Sequence, residues 1–552
     1  MTKSKIINLY TVKFVGMGWI LEVINAAFKI SNKKVNNKIR IILLDEFEVS
    51  HLKNKIKFLL FNNKKKISFL NVKKINNKLK FNPSSIDSKL LLKKKINFSY
   101  KGFDFEIFNA EINFIYNYFL KMLSLILSLF YFFKIIIFSK KIDFLKFKFQ
   151  NVQIGDLVAS TYLRKNPIRG GKFSYSYSLF KIFFYSIFYS LKSKSILGRY
   201  ENFSKKSYTI FPEPLYLQNL WVRKLLSLGI PNIDIHHYKK KFLINKNLNR
   251  PNPWIADKKK IKSINKENIK LINNYFKIRF KNPGKIMSYL THENSNDNSK
   301  EFILNYENKK IHINKNQLIA AIFLHAFNDA QYCFGIDDFE DIYDWTTFSI
   351  DKCLENNYFD KVFIKPHPGM DFINYPGDKV AFQKIFKKYR NNDRIVFLKK
   401  NTSILYLAKN TNILGITHHG SVAEELTFLK QNVVASVGGP WGANYKFLNT
   451  WKNKYDYEIF LKNFRKKSFK PVSKTQLNEF FNYIIERKLN IIESKDHSIR
   501  IFLSKTKKKY SKWQHSKTEV KGFNNYVRDL KNFDSDDVFI NDIIKPIYNR
   551  PN

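Results

Sequence analysis

Residues 416–442 read ITHHGSVAEELTFLKQNVVASVGGPWG, two apolar runs separated by a polar loop and a segment with helical spacing. The loop carries adjacent histidines and a Gly-Ser pair, and the second run ends in a glycine-rich loop. Strand, loop, helix and strand in this order are typical of a parallel α/β unit. In such a unit the loop after each strand lies at the carboxyl edge of the sheet, where ligands bind.

The same alternation extends on both sides of this stretch. Strands are predicted at LIAAIFLHAF, KVFIKPHPG and RIVFL, with a helix at DFEDIYDWTTFSIDKCLENN. Earlier in the chain, SYTIF, the helical LYLQNLWVRKLLSLG and the extended IPNIDIHHY repeat the pattern. We therefore expect an α/β protein with two Rossmann-like domains facing each other across a cleft, and irregular additions at both chain ends.

Composition shifts suggest five regions. Residues 1–150 follow no clear pattern beyond an aromatic-rich apolar helix at 112–138, and 151–240 form the rest of the N-terminal α/β domain. The Lys- and Asn-rich stretch 241–315, with RPNPW and HENSNDNSKE, predicts a linker. Residues 316–490 form the second α/β domain, and 491–552 form a C-terminal extension.

The net charge is +52, from 97 basic and 45 acidic residues in a chain of 552. Lysines lie in short scattered runs, and Asn, Ile and Phe are also abundant, so a compositional bias explains the charge better than a nucleic-acid partner. The charge favours anionic partners such as phosphate-bearing substrates and acidic lipids. Two cysteines, Cys333 and Cys353, provide neither a disulfide framework nor metal spacing, which predicts a reducing cytoplasm.

The apolar segment at 112–138 has an uninterrupted core, residues 122–133, flanked by Lys121 and Lys134. This core is shorter than the roughly 20 residues that cross a bilayer. A buried or interfacial helix is favoured over a membrane span, although flanking lysines could extend toward the headgroups. We expect a cytoplasmic protein with peripheral contact to the anionic inner face of the membrane.

Strand-end loops of the second domain collect the unusual residues. Because these loops share one edge of a parallel sheet, they are expected to build one site. Ser421 with Glu424 fits a capping box, a purely structural role, yet a helix that starts at Gly-Ser also offers N–H groups to a phosphate. Glu425, about 100° around that helix, could accept hydrogen bonds from a ribose. The site residues in these loops are His325, Asp329, Lys365, His367, His418, His419, Gly420, Ser421 and Trp441.

The Lys365-Pro-His367-Pro sequence holds His367 at a strand end, because each proline restricts the residue before it to extended conformations. An imidazole there can donate to a phosphate oxygen while Lys365 adds charge; a loop histidine bonded to backbone is the alternative. A metal site on the four loop histidines lacks His-x-x-x-His or acidic spacing, so neither metal nor cofactor is expected. Walker A, G-x-G-x-x-G and G-x-S-x-G motifs are absent from the sequence, which disfavours P-loop NTPases, NAD enzymes and α/β-hydrolases.

Several segments resemble bacterial surface-carbohydrate and capsular-polysaccharide biosynthesis proteins of the GT-B glycosyltransferase type. These segments are FLHAFNDA, DDFEDIYDW, FIKPHP, the stretch from 416 to 442, and IGDLVASTYLR at 154–164. The His-Pro and Ser loops are similar to those of bacterial sialyltransferases and capsule Kdo transferases. In those enzymes the histidine and serine bind the phosphate of a CMP-sugar. The resemblance implies that His367 and Ser421 bind the donor phosphate during metal-independent transfer of a sugar.

The implied partners are a nucleotide-sugar donor, with a CMP-linked acidic sugar slightly favoured, and a glycan or lipid-linked acceptor. A carboxylate would deprotonate the acceptor. Asp156 is the first candidate, with an N-cap as its equal alternative, and Asp329 and Glu213 follow. Arg164 could bind an anionic substrate or form a surface salt bridge, and Trp441 could stack on a base or anchor a loop. A transferase of polyol phosphate from a CDP donor and a non-catalytic assembly protein remain alternatives.

Overall fold

The computed structural model describes residues 6–12, 38–44, 71–75, 78–82, 96–100, 103–110, 112–166, 169–200, 207–211, 216–234, 243–245, 264–281, 302–370, 376–468 and 470–492. Within these residues the first 245 positions contribute strands β1 (Ile6–Val12), β2 (Lys38–Leu44), β3 (Asn71–Ile75), β4 (Lys78–Asn82), β5 (Ile96–Tyr100), β6 (Phe103–Asn109), β7 (Lys148–Phe149), β8 (Val152–Gln153), β9 (Ser207–Phe211), β10 (Asn232–Asp234) and β11 (Leu243–Asn245).

The first sheet has the spatial order β11-β10-β9-β1-β2-β6-β5. Its five central strands are parallel, and an antiparallel strand closes each edge. Numbered along the chain, the parallel strands follow the order 3-2-1-4-5, which is the order of a Rossmann-like sheet. Its central strand, β1, pairs with β2 on one side and with β9 on the other.

The second half contributes β12 (Phe302–Leu304), β13 (Lys310–His312), β14 (Leu318–Phe323), β15 (Lys361–Lys365), β16 (Ile395–Phe397), β17 (Asn412–Thr417), β18 (Asn432–Ser436) and β19 (Asn449–Trp451). The strands β16-β15-β14-β17-β18-β19 form one parallel sheet in the order 3-2-1-4-5-6. LIAAIF in β14 is buried throughout, as expected of a strand with helices on both faces. The predicted α/β fold with two Rossmann-like domains is confirmed.

The helices of the described residues are α1 (Phe114–Phe138), α2 (Lys141–Leu145), α3 (Gly155–Lys165), α4 (Tyr177–Tyr200), α5 (Asn219–Ser227), α6 (Lys266–Lys281), α7 (Ile342–Glu355), α8 (Pro376–Tyr389), α9 (Ile404–Asn410), α10 (Val422–Phe428), α11 (Lys454–Asn463) and α12 (Lys474–Ile492). Among them α1 is long and apolar enough to cross a membrane, by length and composition alone. It packs one stripe against α4 and leaves its remaining surface exposed.

The stretch predicted as a linker contains α6, which belongs to the second domain. Ile272, Tyr275 and Phe276 are buried in that domain's core, and the Phe276 ring stacks on Phe428 of α10 with a centroid distance of 4.2 Å. These residues recur at helical spacing, so the apolar stripe was readable in the sequence. The abundant lysines and asparagines around it obscured the pattern.

The two domains meet along α3 and the segment that follows it. Leu163 accepts a hydrogen bond from Asn328 Nδ2 at 2.8 Å, and Phe173 donates its N–H to Asp341 Oδ2 at 2.8 Å. Residues 155–163 of α3 are buried, because this helix is enclosed between the domains. The IGDLVASTYLR stretch therefore forms the junction at which the two halves of the molecule are joined.

Candidate active site at the carboxyl edge of the second sheet

The loops after β14, β15 and β17 lie side by side at the point where the strand order reverses. From the central strand β14 the chain continues to β15 on one side, and it later returns to β17 on the other side of β14. A crevice therefore opens between the carboxyl ends of these strands. Partly exposed side chains or backbone line this edge, whereas their neighbours along the chain are mostly buried. The partly exposed residues include His325, Asp329, His367, Gly420 and Ser421.

Four histidines form a chain from the interior to this crevice. His418 Nε2 lies 2.8 Å from Asp337 Oδ2, and its Nδ1 lies 2.7 Å from Nδ1 of His419. The His419 ring is 3.8 Å from that of His325, which in turn is 6.2 Å from His367. His418 and His419 are buried and bond to each other, so their place in the site is behind the residues that face the crevice.

Asp337 was not identified from the sequence, although it orders the buried end of this chain. Its carboxylate also accepts a hydrogen bond from Trp451 Nε1 at 3.3 Å. Burial alone would raise the pKa of Asp337, but the neighbouring His418 ring and hydrogen bonds from His418, Ser436 and Trp451 outweigh it and lower that pKa. An ionised Asp337 fixes which ring nitrogen of His418 carries a proton.

Burial keeps the three histidines nearest the crevice neutral. It lowers the pKa of His325 to about 4 and that of His367 to about 3, and it lowers the pKa of His419 well below its usual value. The N–H of Gly369 donates to His367 Nδ1 at 3.1 Å. The proton of the neutral ring therefore resides on Nε2, and His367 can act as a hydrogen-bond donor without carrying charge.

Two buried cations lie behind the edge. Lys365 donates from Nζ to the Lys400 carbonyl at 2.6 Å, and burial lowers its pKa to about 8, so it stays mostly charged at neutral pH. Arg279 of α6 donates to Glu425 Oε1 at 2.6 Å and to Ser421 Oγ at 2.9 Å. Sequence interpretation missed Arg279 because its helix lies in the stretch read as a linker.

The predicted capping box is not formed. Ser421 is the N-cap of α10 but makes no capping hydrogen bond, and Glu424 instead accepts from the hydroxyl of Tyr483 at 2.8 Å. Glu425 is buried and its Oε1 accepts from Arg279, so one oxygen is already engaged, and its contact with a ribose stays a prediction. Accepting from Arg279 leaves the hydroxyl proton of Ser421 available for donation. The helix has seven residues, and its dipole is correspondingly small.

Gly420 and Trp441 determine the shape of the loops, and neither offers a side chain to a ligand. A Cβ on Gly420 would lie 2.7 Å from Oγ1 of Thr417, so the turn at this position needs glycine. The Trp441 ring is fully buried and donates from Nε1 to the Ser436 carbonyl at 2.9 Å. The buried ring has no face open for stacking on a base or sugar, which favours the alternative that Trp441 anchors the loop.

The first carboxylate candidate, Asp156, is fully engaged. Arg223 donates from Nη1 and Nη2 to the two oxygens of Asp156 at 2.8 and 2.7 Å, and both side chains are buried. Such a bidentate pair engages both carboxylate oxygens in the interior, which contradicts the expectation that Asp156 is a general base. Glu213 lies outside the described residues.

Asp329 is the carboxylate that lies at the crevice. Its Oδ1 accepts from the hydroxyl of Tyr216, a first-domain residue, at 2.8 Å and from the N–H of Ala330 at 3.0 Å. Its negative charge opposes the lowering of the pKa values of His325 and His367, which places it close to both rings. Its second oxygen, Oδ2, makes no hydrogen bond within the described residues.

Arg164 lies at the junction, near Asp378 at the start of α8. Asp378 accepts from the N–H of Phe327 at 2.7 Å, in the loop that carries His325 and Asp329. Burial raises the pKa of Asp378 to about 7, opposed in part by these backbone bonds and by Arg164. Arg164 therefore acts on a protein carboxylate here, and no substrate contact is assigned to it.

No protein-family model matches the chain, and no curated protein matches it. Among solved structures it is similar to α,α-trehalose 6-phosphate synthase from Burkholderia multivorans, with 8% identity, a TM-score of 0.27, and coverage of 96% of this chain and 98% of that chain. It is also similar to an α,α-trehalose-phosphate synthase (UDP-forming) from Burkholderia vietnamiensis, with 8% identity, a TM-score of 0.29, and coverage of 89% and 95%. Likenesses this distant carry no argument about function, and the fold rests on the strand order of the two sheets.

Proposed function

We propose that the protein is a glycosyltransferase that moves a sugar from a nucleotide-sugar donor to a glycan or lipid-linked acceptor. One observation carries the proposal. At the strand-order reversal of the second sheet, a neutral His367 and the hydroxyl of Ser421 face the crevice while Lys365 and Arg279 lie buried behind them. Neutral donors backed by the positive charge of Lys365 suit a phosphate group, while Arg279, paired with Glu425, holds Ser421 in position.

The chemistry follows from where charge develops. When the bond between the sugar and the phosphate breaks, negative charge grows on the departing nucleotide. His367 would donate from Nε2 and Ser421 from its hydroxyl to the phosphate oxygens, with little reorganisation because each is already held by a neighbour. Lys365 adds a favourable field through the interior.

Asp329 takes the role of general base in place of Asp156. The hydroxyl of Tyr216 orients it from the opposite domain, and its free oxygen can remove the proton of an acceptor hydroxyl at the crevice. A position between the two domains fits a reaction whose donor binds one domain and whose acceptor approaches from the other. A CMP-linked acidic sugar, metal-independent transfer and a role in capsular polysaccharide synthesis are proposed from the sequence resemblance. A cytoplasmic location is proposed from the cysteine content.

Calorimetric titration of the full chain with CMP, CDP, UDP and GDP tests the proposal. We expect selective binding of one nucleotide, lost in His367→Ala and retained in His312→Ala, which removes an exposed histidine of the separate two-stranded sheet β12–β13. Failure of all four nucleotides to bind the folded protein would overturn the glycosyltransferase assignment. Equal binding by both variants would remove His367 from the phosphate site.

A further inference from the structure

The apolar face of α1 is exposed along the whole helix. One stripe, formed by Leu120, Ser124, Ser128, Phe132 and Ile135, is buried against the protein. On the other sides large apolar side chains are open to solvent, with Phe114 78%, Ile126 62% and Phe130 60% exposed. An unpartnered surface of this size on a soluble domain indicates an interaction site. The apolar face comprises Phe114, Ile115, Phe119, Met122, Ile126, Leu129, Phe130, Phe133, Ile136, Ile137 and Phe138.

Both ends of α1 are fixed to the same body. Before the helix, Ala110 and Ile112 pack with Ile196 of α4 in the core beside the first sheet. After it, Phe144 and Leu145 pack with the other end of α4. A helix that crossed a bilayer would leave its two ends on opposite sides of about 30 Å of hydrocarbon. The residues at both ends also pack in cores that include Tyr10 and Ile42 of the first sheet at one end and Val158 of α3 at the other. Because both ends belong to the same folded domain, α1 can lie along a membrane surface but cannot span the membrane in this structure.

Exposed basic side chains lie near both ends of the apolar face. Lys134 is on α1, Lys140 follows it and Lys148 is in β7, whereas Lys194 of α4 lies at the other end, next to Ser195, which bonds Tyr116. A helix that presents an apolar face beside lysines is typical of helices that lie in the headgroup region of membranes with anionic lipids.

We propose that the apolar face of α1 inserts into one leaflet of an anionic lipid bilayer while the exposed lysines contact its headgroups. The helix then lies parallel to the membrane plane, with the stripe on α4 turned toward the protein. The inference rests on the first domain alone and does not depend on the chemistry proposed for the second. The proposed partner of the apolar face is lipid and not a second copy of the chain.

The test is co-sedimentation of the full chain with vesicles of phosphatidylcholine alone or mixed with phosphatidylglycerol. We expect binding to the mixed vesicles that weakens with salt, and a loss of roughly tenfold or more in the variant Ile126→Ser/Phe130→Ser/Phe133→Ser. The matched control, Tyr358→Ser/Tyr455→Ser/Ile459→Ser, removes three exposed apolar side chains elsewhere and should bind like the parent chain.

Three results would overturn the inference. The first is equal vesicle binding by the two triple variants, and the second is a lipid-free dimer that only the α1 variant disrupts, which would assign the face to a second copy. The third is a membrane-bound protein that resists alkaline carbonate, because that behaviour requires a span. Nucleotide binding measured on the α1 variant reports independently on the second domain, so a failure of the catalytic proposal is distinguishable from a failure here.

Discussion

Arg279 shows how much of the candidate site depends on one buried side chain from a distant helix. Its guanidinium donates to both Ser421 and Glu425, so the three side chains meet at the start of α10. Its remaining nitrogen, Nη1, is buried and has no hydrogen-bond partner within the described residues. A buried ion pair of this kind is costly to break from one side, because the surviving charge is left without compensation.

Replacing Arg279 by alanine should therefore lower the free energy of unfolding by about 3–5 kcal/mol, measured by urea denaturation. The double variant Arg279→Met/Glu425→Met removes both charges and should recover most of that loss. If the single and double variants are equally destabilised, the cost comes from lost packing around α6 rather than from an uncompensated Glu425.

The carboxyl of Asp378 should make stability depend on pH. Burial raises its pKa in the folded protein to about 7, above the usual value of 3.8, so the folded state keeps the proton over a wider range than the unfolded chain. The resulting stabilisation is complete below about pH 3.8 and is lost as the pH rises to about 7. We expect Asp378→Asn to remove this dependence.

The check is urea denaturation at several pH values between about 4 and about 8. Over that range the parent chain should lose stability relative to Asp378→Asn, by at most about 4 kcal/mol. Asp360→Asn, which changes an exposed carboxylate that also accepts a backbone N–H, measures the effect of the substitution itself. A constant difference between parent and Asp378→Asn at all pH values would contradict the prediction.

At the scale of elements, the segment between α3 and α4 depends on glycines at its contact with the second domain. Gly170 and Gly171 have φ angles of +64° and +76°, a region that other residues avoid. A Cβ on Gly171 would also lie 2.6 Å from Cβ of Phe327, so this backbone approaches the second domain too closely for a side chain. Position 171 of the α3–α4 segment thus needs glycine for two reasons, its positive φ and its close contact with Phe327.

Gly229 has a similar φ, +77°, but no atom lies within 4 Å of an added Cβ. A substitution there therefore measures the effect of the positive φ without that of a close contact. Gly229→Ala should cost about 1–2 kcal/mol of unfolding free energy from backbone strain alone. Gly171→Ala should cost about 1–3 kcal/mol more, since Phe327 must also move. Equal losses in thermal or urea denaturation would show that the contact with Phe327 relaxes freely.

For the whole molecule, the junction decides how the two domains face each other. Asp341 caps α7 by accepting from the N–H of Asp344 at 2.8 Å, and its other oxygen accepts from Phe173 across the junction. Asn453 caps α11 in the same manner, with a bond from Asp456 of 2.8 Å, but reaches no other domain. The two caps therefore form a matched pair for measuring domain coupling.

Asn453→Ala should cost about 1 kcal/mol, as is usual for loss of an N-cap. Asp341→Ala should cost a further 1–3 kcal/mol, roughly, because the buried N–H of Phe173 loses its acceptor. The larger loss should be accompanied by faster proteolysis within 169–175. If both variants behave alike, the bond to Phe173 contributes nothing to the junction.

The extent to which sequence predicted this molecule differs between the two domains. In the second domain, buried parallel strands give short apolar runs that alternate with helices, and β14 to β18 were readable for that reason. In the first domain, the first 150 residues showed no clear pattern beyond the apolar helix at 112–138. Its strands β1, β2 and β6 are separated by long insertions rich in lysine and asparagine, so no alternation is visible.

The site divides in a similar way. His325, His367 and Ser421 follow strands directly, so the rule that strand ends share an edge was enough to group them. Asp337 and Arg279 reach the same edge from a loop and from α6. Arg279 lies 146 positions from its partner Glu425, and no local sequence pattern marks a pair so far apart. Asp156 failed as a base because its partner, Arg223, is similarly distant.

The pairing of β1 with β9 has a consequence for synthesis. The central strand of the first sheet acquires its second neighbour only after residues 207–211 have left the ribosome, about 10–40 s after β1 at usual elongation rates. The helix α1 is complete at residue 138, before α4 at 177–200 exists to cover its serine-containing stripe. The nascent chain therefore presents a bare apolar helix to chaperones and membranes before the domain that holds it has formed.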